Sequence, residues 1–337
     1  MHPRSNRRDG RIPVEQVNGA QKFDQNSTPR SRCSEGVPRG NALAVAGSVT
    51  GSVGSITKRL EWCYGVTTVP SRSVSHLPKT LDSLRKGGFD RPHLFVDGAT
   101  DGSWWANSFG LDVTCRGGIP VRVAGNWILS LYELYYRNPL ADRYALFQDD
   151  LIMYRNTRDY LNTFLPEKGY LNLYTMESNV THFTPHGTDG KPSTGWYSSN
   201  QWGKSAIALV FDRQGVIELL CSRHLARRPS NRDKPSNAER WYCKIDGGIS
   251  AAMSGNDRTN PTANGGAGYL EYVHYPTLVQ HTGHVSSRKE AEGARPQPIG
   301  QGFLGEEFNA RNFGMGKMAE GKIRPMTTPI MHISRDM

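Results

Sequence analysis

Two rhythms of apolar and polar positions run through the middle of the chain, one strand-like and one helical. WCYGVTTV, residues 62–69, is a β-branched and aromatic run closed by Pro70, and it predicts a strand. In LPKTLDSLRKGGF, Leu77, Leu81 and Leu84 recur at helical spacing and Gly87-Gly88 supplies the stop. HLFVDG predicts a second strand ending at Asp97-Gly98, and GIPVRV around Val121 reads as a third. Asn126 then reads as the cap of a helix with Trp127, Ile128, Leu131, Leu134 and Tyr135 on one stripe. RYALFQDDLIMY is a fourth strand with Asp149 and Asp150 in its second half. Asn156 or Thr157 opens a helix through Leu165, GYLNLYTM (169–176) and KSAIALVF are further strands, and a helix follows over Arg213–Cys221.

Strands alternating with helices predict an α/β domain with a mostly parallel central sheet flanked by helices. The first two strands are far enough apart for a right-handed crossover. Open α/β sheets bind ligands beyond the carboxyl ends of their strands. The polar residues at those ends are Thr67, Thr68 and Arg72 after the first strand, Asp97 after the second, and Asp149 and Asp150 in the fourth.

Neither rhythm continues into residues 1–57 or 288–337. Both read as tails, the first disordered and basic, the second largely irregular, with short ordered pieces around Phe303 to Phe308 left open. That leaves 58–287 as a single domain. Residues 1–57 carry eight Lys/Arg against four Asp/Glu, and residues 285–337 carry eight against six, so the ends hold six of the ten net positive charges. A nearly neutral middle with basic ends makes nucleic acid the lesser reading of the charge, though not an excluded one. Cys33, Cys63, Cys115, Cys221 and Cys243 form no CxxC pair, which argues against a zinc module and for reduced thiols in a cytoplasmic protein. No run reaches the ~20 apolar residues of a membrane span, and no apolar stretch of signal-peptide type follows the early arginines.

Side chains of neighbouring strand residues point to opposite faces, so a regular strand would not aim Asp149 and Asp150 at one ion. A metal reading requires the strand to break at the pair; the bland reading is a polar strand end. Oxygen ligands of this kind suit Mg2+ or Mn2+ completed by substrate phosphates. TTVPSR adds two hydroxyls, a rigid turn at Pro70 and the Arg72 guanidinium, a set suited to a nucleotide or to an ordinary proline turn.

The succession TTVPSR, VDGA, GNW and FQDD resembles the donor half of GT-A-fold nucleotide-sugar glycosyltransferases, of the family 2 kind. YPTLVQHTGHVSS, residues 275–287, is similar to the closing segment of several of their subfamilies. The resemblance covers roughly residues 62–287 and implies a donor bound as its nucleotide diphosphate, UDP by default. It implies Mn2+ or Mg2+ held by Asp150 and His281, with His284 as the nearby competitor for the histidine's place. Thr67, Thr68, Pro70, Arg72, Asp97, Asn126 and Asp149 fall on the nucleotide. The family's Asp-x-Asp reads Gln148-Asp149-Asp150 here, so Asp150 takes the metal position and Asp149 a ribose or outer contact. Asp246, before Gly-Gly in KIDGGISAAM, falls where similar inverting enzymes place the general base, and it reads equally as a helix cap. Glu177 and Asp189 are reserves. GWYSSNQWGK offers Trp196 and Trp202 to an acceptor, with Lys204 beside them, or closes a core lid. The acceptor is unknown: a glycan, protein or small molecule. The rival reading is a non-enzymatic binder of nucleic acid or another anion through basic tails.

Overall fold

The structure is a computed structural model. It describes residues 60–118, 120–164, 166–176, 192–203, 205–225, 245–255, 265–282 and 300–318. The expected tail over 1–57, and Glu177, Asp189, Lys204, His284, Cys33 and Cys243, lie outside the described residues.

The fold is mixed α/β, with a large central sheet flanked by helices, in agreement with the fold class the sequence implies. In chain order the elements are β1 (Trp62–Thr68), α1 (Leu77–Lys86), β2 (His93–Asp97), α2 (Ser103–Phe109), β3 (Val113–Arg116), α3 (Arg122–Arg137), β4 (Arg143–Gln148), β5 (Leu151–Met153), α4 (Thr157–Leu161) and β6 (Gly169–Asn172). There follow β7 (Gly195–Ser198), β8 (Ala208–Asp212), α5 (Arg213–Cys221), α6 (Asp246–Met253), β9 (Leu270–Tyr275) and β10 (Val279–His281). The eight-stranded sheet runs β3-β2-β1-β4-β8-β6-β9-β7, and β5 and β10 form a separate ribbon. Four pairings in the large sheet are parallel: β2 with β3, β1 with β2, β1 with β4, and β6 with β9. The other three are antiparallel, two through β8 and one through β7.

One core packs α1 and the β5–β10 ribbon on one face of the sheet, around Val66, Leu84, Phe89, Phe147 and Leu278. The other packs α3, α5 and α6 on the opposite face, around Trp127, Leu131, Phe211 and Ile249. Both faces being covered explains why β2 is buried at every position and β4 at all but its last.

Several local expectations are corrected. The third strand is Val113–Arg116, and the run around Val121 leads into α3 instead. Asn126 is not the cap of that helix: it lies inside it, buried, while Asp97 accepts hydrogen bonds from the backbone N–H of Val121 (3.0 Å) and Arg122 (2.7 Å). The fourth strand does not run through RYALFQDDLIMY. It stops at Gln148, turns at Asp149-Asp150, and resumes as β5 in another sheet. Residues 300–318 are an irregular run that packs on the domain, with the Phe303 ring stacked on Tyr154 at 4.8 Å.

Candidate active site

The carboxyl ends of β1, β2 and β4 lie side by side, so the loops after them share one cleft of about 340 Å³. Thr67, Thr68, Arg72, Asp97, Asn126 and Asp149 all line it. Pro70 does not; it opens the short 3-10 turn Pro70–Arg72 that carries Arg72 to the site. Val69, Pro120, Arg122, Val123 and Gln148 complete the walls. Of these, Arg122 has φ 62°, a left-handed conformation that is costly for a residue with a side chain.

The break between β4 and β5 resolves how two adjacent carboxylates share a neighbourhood. Asp149 faces the cleft, and its Oδ2 accepts from Thr68 Oγ1 at 2.5 Å. Asp150 turns toward the ribbon, where His281 pairs with Leu151 and sets its Nε2 2.9 Å from Asp150 Oδ2. Thr282 N also donates to the Asp150 carbonyl at 2.7 Å. The repulsion expected between the two carboxylates is met by Arg72, whose Nη1 lies 3.3 Å from Asp149 Oδ1 and whose Nη2 pairs with Asp150 Oδ2. Thr80, on α1, fixes the turn from behind: its hydroxyl lies 2.8 Å from the Asp149 carbonyl and 2.9 Å from that of Leu151.

This arrangement splits the two acids. Burial pushes Asp149 up to about 6; Arg72 opposes the push and Asp150 adds to it. Burial also raises Asp150, but His281 and then Arg72 outweigh it and hold Asp150 at about 2. His76, at the head of α1, lies in the same field, and burial followed by Arg72 lowers it. Asp150 is therefore the stronger acid of the two and keeps its charge to the lower pH. Its Oδ1 is buried and has no hydrogen-bond partner among the described residues. A buried, ionised oxygen left without a partner is costly unless a cation meets it. The hard carboxylate oxygen suits Mn2+ or Mg2+, and the imidazole nitrogen is a better partner for Mn2+ than for Mg2+. Among the described residues no three His, Cys, Asp or Glu side chains gather in a group able to hold a metal ion.

The remaining candidates scatter. Gln148 reaches the segment before β8, where its Nε2 donates to the Ala206 carbonyl at 3.2 Å. Asp246 opens α6 and accepts from Ser205 N and Ala206 N, both at 3.0 Å, which anchors it to the chain segment alongside Gln148. Trp196 is fully buried, stacked on Phe164 at 5.0 Å, and has no face for an acceptor. Trp202 is 57% exposed, on a segment where Gln201, Gly203 and Ser205 all have positive φ.

Sequence reasoning missed Thr80 and Glu271. Thr80 lies on the face of α1 that carries Leu77 and Leu84, a position where a polar residue needs a partner. Glu271 in β9 is buried, takes Asn172 Nδ2 at 2.9 Å, and pairs with the Ser199 hydroxyl. Burial pushes it up to about 7.

No family model matches the sequence. No curated protein matches it either. Among solved structures the chain is similar to glucosyl-3-phosphoglycerate synthase from Mycobacterium tuberculosis, determined with Mn2+, uridine diphosphate and glucosyl-3-phosphoglycerate. That likeness has 14% identity and a TM-score of 0.30 and covers 47% of this chain but only 59% of the synthase. A Bacillus anthracis protein provisionally assigned as a glucose-1-phosphate thymidylyltransferase shares 13% identity at a TM-score of 0.33, over 65% of this chain and 89% of that one. A Desulfovibrio desulfuricans protein provisionally assigned as a nucleotide-diphospho-sugar transferase shares 12% at 0.28, over 46% and 65%. Likenesses this distant fix neither ligand nor activity. Among the described residues, no helix is long and apolar enough to cross a membrane.

Proposed function

We propose that the protein is a divalent-metal-dependent glycosyltransferase that moves a sugar from a nucleotide-diphosphate sugar, UDP-linked by default, to an acceptor hydroxyl in the cytoplasm. One observation carries the reading. Asp150 and His281, far apart in the chain, meet at 2.9 Å; Asp150 keeps a buried oxygen without a hydrogen-bond partner among the described residues, and its neighbour Asp149 lines a strand-end cleft. Such a cleft is where an open α/β sheet holds a ligand.

In this reading Thr67, Thr68, Asp97, Asn126 and Asp149 hold the nucleoside. Arg72 meets the diphosphate, and Asp150 and His281 hold Mn2+ or Mg2+. The bound cation supplies charge stabilisation to the departing diphosphate. Asp246 is assigned as the base that takes the acceptor proton, which makes the reaction inverting. Two backbone N–H groups fix its carboxylate in place. Trp202 offers an exposed ring to the acceptor.

The test is direct. Purified protein is expected to release nucleoside diphosphate from one member of a nucleotide-sugar panel when Mn2+ is present, and to lose that release on chelation. Folded protein that is silent across the whole panel, with several acceptor classes present, would sink the proposal.

A further inference from the structure

The acidic turn already holds a cation that belongs to the protein. Arg72 spans both carboxylates, 3.3 Å from Asp149 Oδ1 and in direct contact with Asp150 Oδ2. Its position is set from both sides. Arg72 N donates to the Val69 carbonyl at 3.1 Å, and His76 N donates to the Arg72 carbonyl at 3.1 Å, leading into α1. Two turns further on, Thr80 ties the same helix to the backbone at Asp149 and Leu151. Arg72 reaches both carboxylates directly, Thr80 bonds the backbone of the turn, and His76 lies in the field of Arg72 and Asp150. The charged or titratable groups at this turn are Arg72, His76 and His281 against Asp149 and Asp150, with the Tyr174 hydroxyl also in the field of Asp150.

A divalent cation on Asp150 would bring a second positive centre onto a carboxylate that a guanidinium already occupies. The two would repel, in a place where burial leaves little water to screen them. Yet Arg72 also lines the nucleotide-sized cleft, so the same side chain reaches a second anion site. A guanidinium pairs with phosphate oxygens as readily as with carboxylates.

We propose that Arg72 and the divalent cation compete for Asp150, and that a nucleotide's diphosphate relieves the competition by drawing Arg72 into the cleft. This rests on the function proposed above. Arg72 is then the positioning residue that makes the cation and the nucleotide bind as a pair, with the cation held off while the cleft is empty. Such a coupling is reciprocal, and each ligand strengthens the other by the same factor.

The experiment is a Mn2+ titration of the full chain, read from the loss of the free-ion electron paramagnetic resonance signal, with and without UDP. Wild type is expected to bind Mn2+ weakly alone and at least about fivefold more tightly with UDP. Arg72→Gln is expected to bind Mn2+ alone at least about fivefold more tightly than wild type, and to gain less from UDP. Arg72→Lys, which keeps the charge but loses the fork, is expected to fall between them. A second readout covers instability. Arg72→Gln leaves two buried carboxylates facing each other, so Mn2+ is expected to raise its Tm more than it raises that of wild type, and a chelator to lower it. If Arg72→Gln yields no folded protein even with Mn2+, Arg72→Lys decides the matter by the same titration. Arg72 variants that bind Mn2+ alone no better than wild type, with binding abolished by Asp150→Asn, would overturn the inference and leave the proposed function standing. Absence of Mn2+ binding by wild type, with or without any nucleoside diphosphate, would overturn both.

Discussion

The two halves of the central sheet collect polar groups by different means. In β3-β2-β1-β4 every strand runs the same way, so the carboxyl ends of neighbouring strands fall together and one edge receives all the following loops. Thr68, Asp97 and Asp149 arrive there through strand direction alone. In β8-β6-β9-β7 the directions alternate in part, and no such edge forms. Polar residues are instead held by a buried web. Glu271 bonds Asn172 and Ser199, Gln201 bonds the Glu271 backbone, and Asp246 anchors Ser205 and Ala206. The first half is built from topology, and the second is built from individual hydrogen bonds. Damage should therefore spread differently in the two.

The largest expected effect is in the first half. Asp150→Asn keeps the shape but removes the charge, and transfer is expected to fall by about 10²–10³-fold or more, with a lower Tm because Arg72 and His281 lose the carboxylate they share. Retained activity would show that the break after β4 is structural only. In the second half, Trp196→Ala empties a fully buried aromatic stack and is expected to cost about 3–5 kcal/mol in a denaturant titration. Gly203→Ala is expected to cost about 1–3 kcal/mol, because an added Cβ would lie 2.3 Å from the Asp246 carbonyl oxygen at φ 62°. A neutral result there would mean that the 201–205 segment yields easily, and with it the anchoring of Asp246.

Glu271 tests the web through pH. Its folded value of about 7 lies above the usual 4.5, so between these values the native state holds a proton that the unfolded chain has released. Stability is present below about pH 4.5 and is lost as pH rises through 7. Glu271→Gln has no such proton to lose. Relative to wild type it is expected to gain on the order of 2 kcal/mol between pH 5 and pH 8. Parallel Tm curves for the two proteins would show that Glu271 is ionised in the fold. The smallest effect is expected at Trp202, which is mostly exposed: Trp202→Ala should change stability by no more than about 0.5 kcal/mol. Under the proposed function it raises KM for the acceptor and leaves donor binding alone.

How legible each half was in the sequence follows from the same contrast. β2 and α1 showed in residue order because a strand buried on both faces is a nearly continuous apolar run and the helix before it keeps one apolar stripe, while β1 showed as a β-branched and aromatic run closed by Pro70. The resemblance carried by FQDD and QHTGH pairs Asp150 with His281, and the two side chains do meet. The start of α3 was not reachable, because its cap is Asp97 on another strand, while Asn126 offered the local signal of one. β9 was hidden because its inward positions include Glu271 and His274, which a pattern of apolar alternation passes over. Trp196 and Trp202 are the same residue type in one short segment, and only tertiary packing separates core ring from surface ring.

The ribbon of β5 and β10 has a further consequence, for folding. Asp150 is set by the first half of the domain, but His281 reaches it only once the last strand has docked on Leu151–Met153. Contacts between segments so distant in the chain form late, after the loop between them has been closed. A chain whose β10 has not docked can thus own a finished cleft and still lack the Asp150–His281 pair. Formation of that pair, followed by any probe of the imidazole, would act as a clock for the last step of folding.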